Sequence, residues 1–241
     1  MGIRIGQYLM NANALILPFA LAFFVVLSYQ RLQAGMAGHR TRIALIIAMA
    51  AVSGLAGAWF HARIFPAGNA GLAQGALDVR FGSFGGYWGA LIGATAAAAL
   101  MRVSILACAD ALVPGLLVGG GVARIGCLFA GCCRGIHVPA FGSFQPFHFW
   151  AAIDSFALLA TAVVVMRIER ARGEGLAPGI TLGLYLSVYG ALRFMLEFAR
   201  DLSPVIGPFT SGQIMSALQV LAGILLLAFL RRTQVSMHGR C

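Results

Sequence analysis

Long apolar runs separated by short polar stretches make up most of this chain of 241 residues. A helix needs roughly 20 apolar residues to cross the hydrocarbon core of a bilayer. The seven runs that approach or exceed this length are predicted to span it: 12–29, 43–64, 85–101, 104–122, 145–166, 176–196 and 212–230. The pattern predicts an all-α integral membrane protein with about seven transmembrane helices, in a single transmembrane domain covering 1–241.

The composition supports a chain whose main solvent is lipid. Hydrophobic residues make up 60% and charged residues only 10%, with a mean hydropathy of +0.89, whereas about a quarter of the residues in an ordinary globular domain are charged. All 17 basic residues are arginines, and they stand singly between apolar runs rather than in one patch. The net charge of +10 is therefore attributed to membrane orientation and anionic lipid, and no nucleic-acid partner is predicted.

The distribution of arginines predicts an orientation. Ten lie in the loops after the first, third and fifth spans and at the C-terminus, and seven lie on the other side. Because basic residues are enriched in cytoplasmic loops, we expect the N-terminus outside and the C-terminus inside. The three longer connections, 65–84, 123–144 and 197–211, then all face outward.

The sixth span carries charged side chains at one face of its outer end. Tyr189, Arg193 and Glu197 are four residues apart and Arg200 follows three later, so a helix places them together. They are compatible with an interfacial anchor built on an Arg–Glu pair. They are equally compatible with an anionic headgroup site, in which the two arginines bind phosphate and Glu197 holds one of them in place.

A second candidate follows the fourth span, where Arg124 stands in a glycine-rich apolar run with Gly126 and Gly131 after it. We group Asp110 earlier in the span with this stretch. Glycine lets a ligand approach the backbone and leaves amide groups available to an anion.

Three cysteines lie in the same stretch. Cys127, Cys132 and Cys133 have the spacing C-x4-C-C, which is not a usual zinc or iron–sulfur spacing. Small apolar packing and a disulfide involving Cys127 both stay open. We predict no metal and no cofactor.

The third span opens with Tyr87 and Trp88, followed by Gly89 and Gly93. Aromatic residues at a span start are typical of the membrane interface, and a GxxxG pair is typical of close helix packing. The beginning of this span and the ends of the fourth and sixth nevertheless fall on the same predicted outer face. We expect a site where the three stretches meet.

Together these stretches resemble the prolipoprotein diacylglyceryl transferase family over residues 80–225. The matching motifs are Trp88-Gly-Ala-Leu-Ile-Gly93, Asp110-Ala-Leu-Val-Pro114, Ala123-Arg-Ile-Gly-Cys-Leu-Phe-Ala-Gly-Cys132, Tyr189-Gly-x-x-Arg-Phe-x-x-Glu-x-x-Arg200 and Gly212-Gln-Ile-Met-Ser216. Trp88 stands where the family has a histidine, Cys127 and Ala130 stand where it has asparagines, and Cys132 stands where it has an acidic residue. The Gly-Cys…Gly-Cys-Cys form is similar to a divergent branch of the family.

The resemblance implies transfer of diacylglyceryl from phosphatidylglycerol to a cysteine thiol of a prolipoprotein, with release of glycerol phosphate. It implies a multi-pass location in the bacterial inner membrane, with phosphatidylglycerol or another anionic phospholipid and prolipoprotein signal peptides as partners. The implied catalytic residues are Arg124, Arg193 and Tyr189. The implied substrate-binding residues are Glu197, Arg200, Trp88, Gly89, Gly126, Cys127 and Gly131.

Three alternatives remain at this stage. The acceptor could differ from that of the family. The replaced histidine favours a non-catalytic lipid-binding protein on the same scaffold, and the cysteines favour a membrane thiol or redox protein. His61 and His137 are candidate proton acceptors, but nothing in the sequence ties either of them to the site.

Overall fold

The computed structural model describes residues 2–5, 8–65, 82–130, 133, 135–141, 149–172, 177–200 and 205–238. This part of the chain is almost entirely helical, as predicted. A short antiparallel hairpin, which the sequence analysis did not predict, pairs β1 (Gly2–Ile5) with β2 (Tyr8–Asn11) before the first helix. The helices are α1 (Ala12–Gly35), α2 (Arg40–Ile64), α3 (Ser83–Leu100), α4 (Ile105–Ala130), α5 (Trp150–Arg172), α6 (Ile180–Glu197) and α7 (Ser211–His238).

Each helix corresponds to one predicted span, and five of them are long and apolar enough to cross a membrane. The two that fall outside this group, α3 and α6, have 18 residues each. At about 1.5 Å per residue such helices are still close to the thickness of the hydrocarbon core. The protein is therefore an all-α, multi-pass membrane protein, while the number of spans and their orientation stay predictions.

Helix α4 extends well beyond its predicted span. It continues to Ala130, so Arg124 lies on its last turns and not in the connection that we predicted after residue 122. The glycines before Arg124 are packing positions. A Cβ on Gly119 would lie 2.7 Å from the carbonyl oxygen of Ala20 in α1, and one on Gly121 would lie 2.9 Å from the side chain of Leu159 in α5.

Close packing of α2 against α3 fixes the position of the N-terminal end of α3. A Cβ on Gly57 would overlap the carbonyl oxygen of Gly85, and a Cβ on Gly89 would overlap that of Ser53. The backbone N–H of Gly82, which precedes α3, donates to the carbonyl oxygen of Ala58 at 2.8 Å. The first turn of α3 is therefore held beside the last turns of α2.

Apolar side chains cover much of the outer surface of the helices. Phe19 is 65% exposed, Val52 66% and Phe156 74%, and Leu112, Leu117 and similar side chains fill the interior. Such broad apolar exposure is unfavourable in water and is expected of helices that face lipid.

Asp110 occupies a different place from the one that we expected. It lies near the beginning of α4, about 14 residues and roughly 20 Å along the helix from Arg124. Its Oδ2 accepts from the backbone N–H of Gly179 at 2.6 Å and its Oδ1 from that of Leu182 at 2.7 Å. Asp110 therefore caps the N-terminus of α6 at the opposite end of the bundle, and grouping it with Arg124 was wrong.

Candidate functional site

Two arginines from different helices meet at one buried carboxylate. Nε of Arg124 on α4 lies 2.6 Å from Oδ2 of Asp154 on α5, and Nε of Arg193 on α6 lies 3.9 Å from Oδ1. The residues are 5%, 0% and 1% exposed for Arg124, Asp154 and Arg193 respectively. Charges buried to this extent are costly unless they are paired, so Asp154 is what allows both arginines to lie inside the bundle.

Glu197 forms a second carboxylate centre at the C-terminal end of α6. It is 1% exposed and forms an ion pair with Arg193 one turn before it. Its Oε1 also lies 3.4 Å from Nη1 of Arg200 and accepts from Oγ1 of Thr210 at 3.4 Å. An interfacial anchor would expose this pair to water or headgroups, so the burial of Arg193 and Glu197 favours the site interpretation.

The N-terminus of α7 is shaped to fit Glu197. Thr210 and Gln213 form a capping box, in which the Gln213 N–H donates to Thr210 Oγ1 at 3.2 Å and the Thr210 N–H donates to Gln213 Oε1 at 3.0 Å. A Cβ on Gly212, between them, would overlap the carboxylate of Glu197. The Gly212–Gln213 pair of the last motif therefore closes the site around Glu197.

An aromatic wall lies against the arginines. The ring of Trp150 at the start of α5 is 4.5 Å from Cζ of Arg193, 4.9 Å from that of Arg200 and 5.4 Å from that of Arg124. Its indole N–H donates to the carbonyl oxygen of Leu196 at 2.8 Å, which fixes the ring. Guanidinium groups are attracted to aromatic faces, so one fully buried tryptophan orients three cations.

Tyr189 contacts both Asp154 and helix α3. Its hydroxyl donates to Oδ1 of Asp154 at 3.2 Å, and its ring lies edge-on to Tyr87 with centroids 6.1 Å apart. A Cβ on Gly120 would overlap the hydroxyl of Tyr87, so this glycine makes room for the pair. On the same end of α3, Ser83 accepts from Nη2 of Arg124 at 2.7 Å.

Among the described residues, the charges of this cluster do not cancel. Arg124, Arg193 and Arg200 face Asp154 and Glu197, which gives three formal positive charges against two negative ones. In addition, Nη2 of Arg193 is buried and has no hydrogen-bond partner among the described residues. An N–H group without a partner in a place shielded from water is costly, and one additional anion would satisfy both the charge and the donor.

The structure brings the cysteines close to the cluster without making them part of its core. Sγ of Cys133 lies 3.7 Å from Nη1 of Arg124 and 3.9 Å from Nη2 of Arg200, and Cys127 interacts electrostatically with Arg124. Cys132 lies outside the described residues. Within the described ranges, no group of three His, Cys, Asp or Glu side chains is placed to hold a metal ion, and the absence of a metal stays a prediction.

The other predicted site residues lie in different parts of the structure. Gly126 is buried on α4, two residues after Arg124, and Gly131 lies outside the described residues. Gly89 packs against the backbone of α2. Trp88 is partly buried against the hydrophobic core. The contacts of Gly89 and Trp88 are therefore packing contacts, and their role in substrate binding stays a prediction.

Sequence reasoning missed the central residue of the site. Asp154 was passed over inside the fifth apolar run. The signal for Asp154 was present, because an acidic residue within a membrane span needs a partner and indicates function. The partners themselves, on α4 and α6, could not be read from spacing along α5.

The fold and the site define a class: a multi-pass membrane protein with a buried, net cationic arginine–carboxylate cluster at one end of its helices. The prolipoprotein diacylglyceryl transferase family model matches residues 2–229 of the chain. The chain belongs to this family, as the motifs indicated.

Curated relatives agree with the family match. Phosphatidylglycerol–prolipoprotein diacylglyceryl transferase 2 of Clostridium perfringens is 30% identical over 158 residues, which cover 58% of this chain and 59% of the relative. The corresponding transferase of Chlorobaculum tepidum is 29% identical over 157 residues, 59% of this chain and 54% of the relative. That of Geobacter sulfurreducens is 26% identical over 167 residues, 63% and 62% respectively. The matches thus span about three fifths of the length of these relatives.

Proposed function

We propose that this protein transfers diacylglyceryl from phosphatidylglycerol to a cysteine thiol of a prolipoprotein. Three lines support the proposal: membership of the family, the names of the relatives, which give both substrates, and the site itself. The observation that carries it is the net positive cluster of Arg124, Arg193 and Arg200, with one N–H group of Arg193 unpartnered among the described residues.

A phosphodiester matches this cluster in charge and geometry. Phosphatidylglycerol carries a single negative charge on its phosphate, which equals the formal excess of the five charged side chains. Arginine can donate two parallel N–H groups to phosphate oxygens, a geometry that lysine cannot reproduce. We therefore assign phosphate binding to Arg193 and Arg124, with Arg200 at the exposed edge, where its side chain is 15% exposed.

The same residues suit the chemical step. In diacylglyceryl transfer, sulfur attacks the glyceryl carbon, the carbon–oxygen bond to phosphate breaks, and the electron pair of that bond stays on the phosphate oxygen. Negative charge therefore develops on the departing glycerol phosphate. Fixed cationic donors in a water-poor site stabilise developing charge most strongly, which assigns Arg124 and Arg193 to the catalytic step.

The remaining side chains hold these arginines in position. Tyr189 donates to Asp154, which receives both arginines, and Glu197 pairs with Arg193 and Arg200. We assign Tyr189, Asp154 and Glu197 to positioning. Removing any of them is expected to misplace a guanidinium group rather than remove a group that touches the reacting atoms.

The proposal includes a location. We place the protein in the bacterial inner membrane with the arginine cluster at the outer leaflet, the N-terminus outside and the C-terminus inside. The ten-to-seven division of arginines supports this orientation. Reporter fusions at residue 170, on the last turn of α5, should report the cytoplasm, and an external signal there would contradict the orientation.

A reconstituted transfer assay tests the activity. Purified protein is incubated with phosphatidylglycerol labelled in its acyl chains and a peptide that carries a lipobox cysteine. We expect a labelled thioether that resists hydroxylamine, together with equimolar release of glycerol phosphate, and no product from the matched peptide with serine in place of cysteine. Bound but unconverted phosphatidylglycerol would identify a non-catalytic lipid-binding protein and would contradict the proposed transfer.

A further inference from the structure

A thiol must lose its proton before sulfur can attack carbon, because the thiolate is the nucleophile. Within the described cluster the two carboxylates are poorly suited to accept it. Asp154 is held between Arg124 and Arg193, and Glu197 is held between Arg193 and Arg200. Both carboxylates are thus already engaged in ion pairs with guanidinium groups, so we expect the proton acceptor to lie outside these pairs.

The imidazole of His61 lies beside this cluster. His61 is on the last turn of α2, and α2 is held against the start of α3 by the contact between Gly57 and Gly85. The ring centroid of His61 lies 6.4 Å from that of Phe84, and the same Phe84 ring lies 5.2 Å from Cζ of Arg193. The ring of Phe84 is therefore a neighbour of both the imidazole of His61 and the guanidinium group of Arg193.

The surroundings of His61 hold the ring while leaving its nitrogens available. Phe65 packs on it with centroids 5.1 Å apart, and a Cβ on Gly82 would overlap Nδ1. Both ring nitrogens are shielded from solvent and have no hydrogen-bond partner among the described residues. A histidine that serves packing alone normally satisfies at least one buried nitrogen, whereas neither nitrogen of His61 has a partner among the described residues.

The charge environment favours the neutral form of this imidazole. Burial of the ring, and secondly the positive charge of Arg200, both disfavour the protonated form of His61. The resting ring would then be neutral and able to accept a proton. A negatively charged phosphate bound at the arginines offsets that cation, so substrate binding makes the imidazole a better base.

We propose that His61 is the catalytic base that accepts the proton of the acceptor cysteine. The inference rests on the proposed transferase function and supplies the proton acceptor that the arginine cluster lacks. His61 takes the thiol proton as the sulfur–carbon bond forms and the carbon–oxygen bond breaks. It then returns the proton to the departing glycerol phosphate, so that atoms and charges balance without a cofactor.

The test compares two acceptors on two variants. His61→Phe keeps an aromatic ring between Phe65 and Phe84 and removes the proton acceptor, and His61→Gln keeps polarity without a basic nitrogen. A lipobox peptide with selenocysteine in place of cysteine needs no base, because a selenol is already ionised at neutral pH. Phe65→Leu serves as the matched control, since it changes the packing of the imidazole without removing it.

We expect both His61 variants to lose about 100-fold or more in turnover with the cysteine peptide, the usual range for a general base. With the selenocysteine peptide they should approach the wild-type rate, and phosphatidylglycerol binding should be unchanged. Equal loss with both peptides would show that His61 is structural, and unchanged turnover with cysteine would show that it is dispensable. Either result overturns the inference, whereas a wild-type protein with no turnover on either peptide would overturn the proposed function itself.

Discussion

The two ends of the helix bundle both contain carboxylates that accept from other groups of the protein, but they balance their charges differently. At the end where α6 begins, Asp110 accepts two backbone N–H groups, and Glu169 accepts from Arg31 at 2.6 Å and from Thr181 at 2.7 Å. At the end where α6 finishes, three arginines share two carboxylates.

This difference distinguishes polar groups that stabilise the fold from polar groups that form a binding site. Asp110 and Glu169 are satisfied by the protein itself, so these two carboxylates need no ligand to complete their hydrogen bonds. The opposite end retains a formal positive charge and an unpartnered N–H group on Arg193, within the described residues. Paired polar groups are common to both ends, and the excess of cationic donors at one of them indicates the ligand.

The largest effect on activity is expected from the removal of Arg193. We expect Arg193→Ala to lower transfer activity by about 100- to 1,000-fold, the cost of removing one fixed electrostatic contact from a catalytic site. Arg193→Lys should recover little, because an ammonium group cannot form the paired contact. The labelled thioether assay measures both rates.

The control is Arg31→Ala at the other end, whose ion pair is 38% exposed on the arginine side. An exposed pair of this kind contributes about 1 kcal/mol or less to stability, so near wild-type activity is expected. If Arg31→Ala and Arg193→Ala lose activity equally, the distinction between the two ends does not hold.

A second comparison pairs Asp154 with Asp110. Asp154→Asn leaves Arg124 without its counter-charge and Arg193 with Glu197 alone, and breaking a buried ion pair typically costs about 3–5 kcal/mol. Asp110→Asn keeps one carbonyl oxygen for the cap of α6, so its cost should not exceed the roughly 0.5–2 kcal/mol that complete loss of a helix cap causes. Thermal unfolding in detergent should show the larger loss for Asp154→Asn.

Transfer activity, measured on the folded fraction of the same two variants, separates an effect on function from an effect on stability. Asp110→Asn should retain transfer activity, whereas Asp154→Asn should lose it because Arg124 and Arg193 are no longer held together. A fully active Asp154→Asn variant would show that the pairing at Asp154 is unnecessary for function.

A smaller effect is expected from Gly212→Ala. The added Cβ would displace the carboxylate of Glu197 and shift the arginines that it holds, and a misplacement of about 1 Å in a catalytic site can cost up to about 100-fold. We expect roughly a 10-fold loss in rate. Gly35→Ala, which meets nothing within 4 Å, is the matched control, and an equal loss in both variants would contradict the steric argument.

The smallest effect is expected from Cys133→Ala. Its sulfur contacts Arg124 and Arg200 at the long distances of 3.7 and 3.9 Å, and a weak hydrogen bond contributes about 1 kcal/mol or less. Activity should stay within about fivefold of wild type. Complete loss of activity in Cys133→Ala, with Arg193→Ala fully active, would favour a thiol or redox function.

Much of the fold could be predicted from the sequence because lipid imposes a simple rule. Backbone polar groups in hydrocarbon must bond within the helix, so each apolar run becomes one helix and its bounds are visible. The end of α4 was missed, because the predicted span stopped at residue 122 whereas the helix continues through Arg124 to Ala130. Gly119 and Gly121 pack against α1 and α5, and packing between distant segments cannot be seen along the sequence.

The site was only partly predictable for a related reason. The spacing of Arg193 and Glu197 on one helix follows from helical geometry, and both were assigned together. The meeting of Arg124 and Arg193 at Asp154 depends on how α4, α5 and α6 pack, and no local pattern on α5 indicates it. His61 was similarly undecided until its ring could be placed beside Phe84.

Lipid binding provides the most direct test of the central claim, that the uncompensated arginine cluster binds a phosphodiester. Native mass spectrometry of the purified protein in detergent can compare phosphatidylglycerol with diacylglycerol, which lacks the phosphate. We predict that the wild type and Arg31→Ala prefer phosphatidylglycerol and that Arg193→Ala loses about 10-fold or more of that preference, in line with roughly 1.5–3 kcal/mol for a hydrogen bond to a charged group. An undiminished preference in Arg193→Ala, or its loss in Arg31→Ala, would contradict the account.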